Sequence, residues 1–493
     1  MLQIALRRES EVPLYRQVTE QIAGLIRRGT LANGARLPTI RQLAEELGLT
    51  RLTVHSAYAE LQAQGLIEST VGRGTFVAAR TPTPARHGEA AEPRAQWRAH
   101  SVLADLVALA DRPDLISLAQ AMPAPETFPV RTFGKALREA LEAPGSLGYG
   151  SIQGDAGLRE QVSRVALERG VAAHPDEVLI TAGAQQGIDL ALAAFAAPGE
   201  VVLVEEPTYP GALEVAARRG QRLVGVPMDA DGMDIAALEA ACAEHRPRLL
   251  YTVAAFHNPT GVSLSAERRQ ALLRVARAHN LLIVEDDVYG LLGYDAPAPP
   301  ALKAEDADGR VIYCTSFSKA LMPALRLGAI MATPDQLAEL AGVKHSSDLV
   351  CSPLMQRALA EYLREGRLDA HLQHARRLYH GRRDATLEAL ARYMPGCAWT
   401  QPAGGLNVWV TLPEGVGERD FCLDAIAQGV GVAPGRAFYG QPRSESHIRV
   451  SFGAHPPERI RQAIATLGKL LDEHLRRRTL LLARASREAG PLV

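Results

Sequence analysis

Lysine is nearly missing from this chain. Only five occur among 493 residues (Lys135, Lys303, Lys319, Lys344 and Lys469), so almost all of the 54 basic side chains are arginine. The excess reads as a coding preference, yet it has a chemical use: a reaction that needs a lysine amine has just five candidates. Cysteine is equally sparse. Cys242, Cys314, Cys351, Cys397 and Cys422 are far apart, odd in number and never in a C-x-x-C pair, which argues against a disulfide framework or a zinc site and for a reducing compartment. No metal is expected. Net charge is lacking too, at -1 from 54 Lys+Arg against 55 Asp+Glu, which excludes a chain that coats nucleic acid throughout its length or is wholly disordered. No apolar run approaches the ~18 residues of a membrane helix, and the opening MLQIALRRESEVP has no secretory apolar core. The expectation is a cytoplasmic protein with no membrane partner.

The neutral total conceals an asymmetry. Residues 1–80 hold ten Arg and seven Glu without Lys or Asp, a net of +3, so the remaining 413 carry -4. The length also exceeds the ~250 to 300 residues at which single cores stop growing. At least two domains are therefore expected, the smaller one mildly basic.

In that basic piece Leu14, Val18, Ile22, Leu25 and Ile26 have helical spacing, with Gly29 placed to end the helix. In TIRQLAEELG, Thr39 and Gln42 have capping-box spacing, Ile40, Leu43 and Leu47 form an apolar face, and Gly48 ends the turn. Thr50 then caps a helix whose face is Val54, Ala57, Tyr58 and Leu61. Two short helices around a glycine turn match a helix-turn-helix, and LIEST and TFVAA around Val71-Gly72-Arg73-Gly74 predict a hairpin with a basic tip. In such a winged helix-turn-helix the start of the second helix of the motif enters the major groove. That places Thr50, Arg51 and Thr53 on base edges, with Arg41 and the wing Arg73 on phosphate or the minor groove and Thr39 beside them.

These blocks, PLYRQVTEQI, ARLPTIRQLAEELGLTRLTV, AYAELQAQGLIES and GRGTFV, together resemble the GntR superfamily of bacterial regulators over about residues 10 to 78. The resemblance implies a DNA-binding domain over 1–79 and double-stranded operator DNA as a partner. Residues 80–104, rich in Pro, Ala and Arg, read as a flexible linker.

From there strand-like runs (EVLIT, EVVLVE, RLVGVPM, RLLYTVAA, LLIVEDD, VIYCTSF) alternate with amphipathic helices. The alternation predicts an α/β domain over 105–475 with a mostly parallel sheet, and ligands bind beyond the carboxyl ends of such strands. An Arg-rich tail, 476–493, follows. LLIV runs into Glu285, Asp286 and Asp287, and VIYC into Thr315, Ser316, Phe317, Ser318 and Lys319. A carboxylate, a lysine amine and a hydroxyl/Arg cluster at one sheet edge are what pyridoxal phosphate requires.

The same segments resemble fold-type I aminotransferases over roughly residues 110 to 470. By that resemblance Lys319 of SFSK bonds pyridoxal 5'-phosphate covalently, with Ser316, Ser318 and Arg326 on its phosphate. Asp286 of EDDVY meets the pyridine nitrogen, while Tyr289 and Asn258 of HNPTG meet the phenolic oxygen. Ala184 and Gln185 of TAGAQQG offer backbone N–H groups to the phosphate, as helix N-termini do. Tyr209 of EEPTYPG stacks on the ring, Tyr149 of GYGSIQG is lent by a partner subunit, and Arg449 of IRVSFG takes a substrate carboxylate. Asp287 reads as a helix cap or a solvated neighbour, and His257 as a packing or hydrogen-bonding histidine.

A GntR-like reader before an aminotransferase-like domain resembles the MocR/GabR subfamily of transcription factors. That implies a homodimer in which an amine, an amino acid or the cofactor itself acts as effector on how two readers meet DNA. Regulators of this group often carry a bulky residue before the Pro-Thr-Gly turn, whereas Asn258 stands here, and Ala324 replaces a common glycine. A second reading therefore stays open: an active aminotransferase of the α-aminoadipate or kynurenine type with an appended reader.

Overall fold

The computed structural model describes residues 4, 14–27, 31, 34–63, 66–70, 74–77, 112, 114–143, 147–441 and 443–488. The chain forms two compact units, Met1–Gln96 and Trp97–Val493.

In the first unit the expected helices are α1 (Leu14–Arg27), α2 (Ile40–Leu47) and α3 (Arg51–Ala63). Val18, Ile22, Leu43, Val54, Ala57 and Leu61 close a shared core in which each is wholly buried or nearly so, the apolar faces that the 3.6-residue period requires. The capping box is present: Thr39 Oγ1 accepts from the Gln42 N–H at 3.2 Å, and the Gln42 side chain accepts from the Thr39 N–H at 3.0 Å. Gly48 ends α2 at φ 62, a left-handed position that glycine occupies without strain. Strands β1 (Ile67–Thr70) and β2 (Gly74–Val77) pair antiparallel with Ile67 opposite Val77. Arg73, expected at a wing tip, and Gly29, expected to end the first helix, lie outside the described residues.

The second unit is built on an eight-stranded sheet. In chain order its strands are β3 (Val178–Thr181), β4 (Val201–Glu206), β5 (Arg222–Asp229), β6 (Gly232–Met233), β7 (Leu249–Thr252), β8 (Leu282–Asp286), β9 (Val311–Ser316) and β10 (Gly328–Met331). The order across the sheet is β3-β10-β9-β8-β7-β4-β5-β6. Strands β9, β8, β7, β4 and β5 run parallel, while β10 lies antiparallel to both neighbours. The six expected strands are all in this sheet. The two that periodicity missed are β6, only two residues long, and β10, which is four residues long and wholly buried, both too short to show a period.

Beyond it lies an antiparallel four-stranded sheet of β11 (Ala398–Trp399), β12 (Asn407–Thr411), β13 (Ala433–Pro434) and β14 (His447–Ser451), in the order β11-β12-β14-β13. The long helix Pro457–Glu488 buries Ile460, Ile464 and Leu467. It continues without a break past residue 475, so the boundary expected there falls inside a helix. No helix among the described residues is long and apolar enough to cross a membrane.

The capping box makes a direct stability prediction. Thr39→Ala should cost about 1 kcal/mol of α2 stability and speed amide exchange at Gln42 several-fold; unchanged exchange would show that the cap contributes nothing.

Candidate functional site

The carboxyl ends of β3, β4, β7, β8 and β9 converge on one cavity of about 380 Å3. Eleven residues expected to act together line it: Ala184, Gln185, Tyr209, Asn258, Asp286, Tyr289, Ser316, Ser318, Lys319, Arg326 and Arg449. They sit at or after strand ends, with Arg326 just ahead of β10 and Arg449 on β14, so the two sheets gather residues that are up to 265 positions apart, from Ala184 to Arg449.

At the centre is Asp286, the last residue of β8. Its Oδ2 accepts from the Tyr251 hydroxyl at 2.8 Å, while Oδ1 is buried with no partner. Burial raises its pKa to about 7, with the Tyr251 hydrogen bond pulling the other way. A buried carboxylate with one oxygen satisfied and the other free fits a cationic N–H.

Opposite lies Lys319, in the short turn Phe317–Ala320 after β9. Its Nζ donates to the Ala121 carbonyl at 2.6 Å. Burial pushes its pKa down to about 8, the Arg449 and Arg326 charges adding to that and Asp286 opposing it. An amine so poised supplies an appreciable neutral fraction near neutral pH, which nucleophilic chemistry needs.

A third region suits an anion. The helix Ala184–Phe195 opens into the cavity, and no side chain caps it. Its leading residue Gly183 has φ +93, and the Arg326 guanidinium lies where a Cβ there would come within 3.4 Å. Arg326 Nη2 donates to the Ala182 carbonyl at 3.1 Å, and the Ser316 and Ser318 hydroxyls are 3.0 Å apart. Free helix N–H groups, two hydroxyls and a guanidinium form a phosphate-type donor set.

Arg449 of β14 is buried, and burial lowers its pKa to about 10. Nη1 donates to Asn258 Oδ1 at 2.8 Å, Nη2 to the Ala119 carbonyl, and Phe438 lies 4.8 Å away as a cation–π partner. Its Nε is buried without a partner, ready for a ligand carboxylate. The donor set as a whole fits the cofactor expected from the sequence.

Tyr149 is not in this cavity. It is 92% exposed and lines a separate hollow with Arg357 and Pro353. Asp287 also differs from expectation: it is neither a helix cap nor solvated, but buried against Arg169 Nε at 2.7 Å and the Tyr313 hydroxyl at 2.8 Å. His257 does hydrogen-bond, to Thr260 Oγ1 at 2.8 Å, with its other nitrogen 3.2 Å from buried Glu205. Sequence reasoning missed Tyr251, Arg169 and Gln120. A tyrosine inside a strand reads as core, and an arginine is undistinctive in a chain with so many.

In the first unit Arg51 stands exposed at the start of α3. Thr50 Oγ1 accepts from the Thr53 N–H at 3.2 Å, capping the helix, and lies 2.8 Å from the Thr53 hydroxyl. Thr39 is spent on α2 in the same way. Arg41 is exposed and paired with Glu45 at 3.0 Å.

Comparison with known proteins agrees with this geometry. Residues 113–467 match the family Aminotransferase class I and II, and residues 14–77 match the bacterial regulatory proteins of the gntR family. Aromatic-amino-acid aminotransferase 1 of Thermococcus litoralis is 37% identical, covering 76% of this chain and 93% of that protein. The uncharacterized HTH-type transcriptional regulator YisV of Bacillus subtilis is 33% identical, over 91% of this chain and 94% of its own length. Among solved structures, the multiple substrate aminotransferase of Thermococcus profundus superposes with a TM-score of 0.73 at 37% identity, covering 78% of this chain and 98% of that one.

The buried Asp287–Arg169 pair predicts its own asymmetry. Arg169→Met alone should cost about 3–5 kcal/mol in unfolding free energy, and a paired Asp287→Leu should restore much of it; a harmless single substitution would mean that the buried charge has another partner.

Proposed function

The chain belongs to the aminotransferase class I and II family and carries a gntR-family domain ahead of it; on that premise we propose that it is a DNA-binding transcriptional regulator governed by pyridoxal phosphate. The domain over residues 1–79 reads an operator, and the larger domain that follows it binds an amine, an amino acid or pyridoxal phosphate itself. The observation that carries this is the union in one chain of a reader helix with Arg51 exposed at its start and a cavity that joins Lys319, Asp286 and Arg449.

Lys319 is the covalent attachment point, Asp286 Oδ1 meets the ring nitrogen, and Ala184, Gln185, Ser316, Ser318 and Arg326 take the phosphate. Tyr209, Asn258 and Tyr289 bound the ring. Bound, pyridoxal phosphate supplies an aldehyde carbon for amines and an electron-withdrawing ring. Arg449 orients a carboxylate, and the buried walls exclude water. Tyr149, exposed on its own subunit, completes the cavity of a second copy, which makes the working unit a homodimer. The protein acts in the cytoplasm, where its DNA lies. An effector switches such a dimer by binding one arrangement of the readers better than another.

The intact Arg449–Asn258 contact, 2.8 Å, favours a second reading, an aminotransferase with an appended reader. Repeated turnover with an amino donor and 2-oxoglutarate supports the enzyme, and binding without turnover supports the sensor.

Because the free Lys319 amine is depressed to about 8, its protonated form dominates below that value. Loading of the cofactor-free chain, fixed by borohydride, should rise about tenfold from pH 6 to 7 and level off above 8, and Lys319→Ala should show no visible absorption band. A pH-independent rate, or an unchanged band in the variant, would refute the attachment. On the DNA side, Arg51→Ala should lose roughly 1–3 kcal/mol of affinity for the operator but little for random duplex; equal losses on both would reduce Arg51 to a phosphate contact.

A further inference from the structure

Residues 119–121 run along the cavity between the Arg449 guanidinium and the Lys319 amine. Arg449 Nη2 donates to the carbonyl of Ala119, and Lys319 Nζ donates to that of Ala121 at 2.6 Å. The segment is tied down on both sides, by Ser451 N donating to the Leu118 carbonyl at 2.9 Å and by Ala124 N donating to the Tyr379 hydroxyl oxygen at 2.9 Å. Gln120 is thereby held between guanidinium and amine, with its side chain lining the cavity. Its amide oxygen Oε1 is buried and has no hydrogen-bond partner.

Other orphaned atoms of the cavity already have claimants. Asp286 Oδ1 faces a ring nitrogen and Arg449 Nε faces a carboxylate, while Gln185 Oε1, also an acceptor, is on a side chain tied through Nε2 to the Gly211 carbonyl at 3.0 Å. Gln120 Oε1 has none, and a buried acceptor left unpaired is costly enough to change binding about tenfold or more. A ligand that brings a donor relieves that cost, whereas an isostere without one leaves it in place. Sites of this kind discriminate more sharply than apolar pockets do between ligands that differ by a methylene.

We propose that Gln120 sets the side-chain specificity of the cavity, selecting carboxylates whose side chain carries an N–H or O–H donor over aliphatic ones of the same shape. Hydroxy, carboxamide and diamino acids make up this class. The inference rests on the Lys319 cavity binding amino acids as proposed above.

The test uses the cofactor-loaded full chain and two isosteric pairs, threonine against valine and asparagine against leucine. Affinity is read from calorimetry and from the initial change in visible absorption. Threonine and asparagine should bind at least tenfold more tightly than their partners. Gln120→Leu should erase or invert the preference with an unchanged unfolding midpoint, while Gln120→Glu, which keeps an acceptor, should retain it. Equal affinities within each pair in the natural chain, or the same preference in Gln120→Leu, overturn the assignment. A loaded chain that binds none of the four overturns instead the amino-acid reading beneath it, and the Gln120 role falls with that reading.

Discussion

The structure depends on bringing three consecutive carboxylates, Glu285, Asp286 and Asp287, to the buried end of one parallel strand. All three are at least 95% buried, where an unpaired charge costs several kcal/mol. Each is answered differently. Glu285 accepts from the N–H groups of Leu302 and Lys303 at 2.7 and 3.0 Å, and burial together with Asp287 pushes its pKa upward. Asp287 is neutralised by Arg169. Asp286, the middle one, receives a single hydroxyl from Tyr251 and keeps an oxygen free. Function resides in that deliberate incompleteness: the neighbours on either side are fully satisfied, so the one unsatisfied atom faces the cavity.

The same logic shapes the turn that carries Asn258. Glu205 at the end of β4 accepts from the Thr252 hydroxyl at 2.7 Å and the Val253 N–H at 2.8 Å and lies against His257. His257 in turn bonds Thr260, which fixes the turn from both sides of Asn258. Arg449 then has a rigid acceptor at one nitrogen and a backbone carbonyl at another. The cavity is thus preorganised by buried polar groups behind it, while the groups facing inward are left short of partners.

Much of this was legible in the sequence. The alternation of strands and helices follows from burial on both faces of a parallel sheet, and the scarcity of lysine by itself draws attention to Lys319. The first unit was equally legible, because capping boxes and apolar faces are local. The positioning shell was not. Tyr251 and Arg169 act across 35 and 118 residues, and such pairings are set by strand order rather than by neighbours in the chain. The strand β10 hid for a related reason, since a short run buried on both faces carries no period. Tyr149 was assigned to the cavity by resemblance alone, and in the folded chain it stands exposed beside a separate hollow. The threonines at the helix starts also act locally, since Thr39 and Thr50 each accept from an N–H of the helix they precede.

The central claim is that the Lys319 cavity and the reader are coupled through one chain. It is tested most directly by measuring, at fixed salt, the affinity of the full chain for DNA upstream of its own gene, with and without pyridoxal phosphate and a panel of amines. The account predicts that a ligand bound at the cavity shifts that affinity by roughly 5- to 150-fold in the natural chain and leaves Lys319→Ala unchanged. The same shift in both proteins, or none in a loaded chain whose cavity is demonstrably occupied, would contradict it.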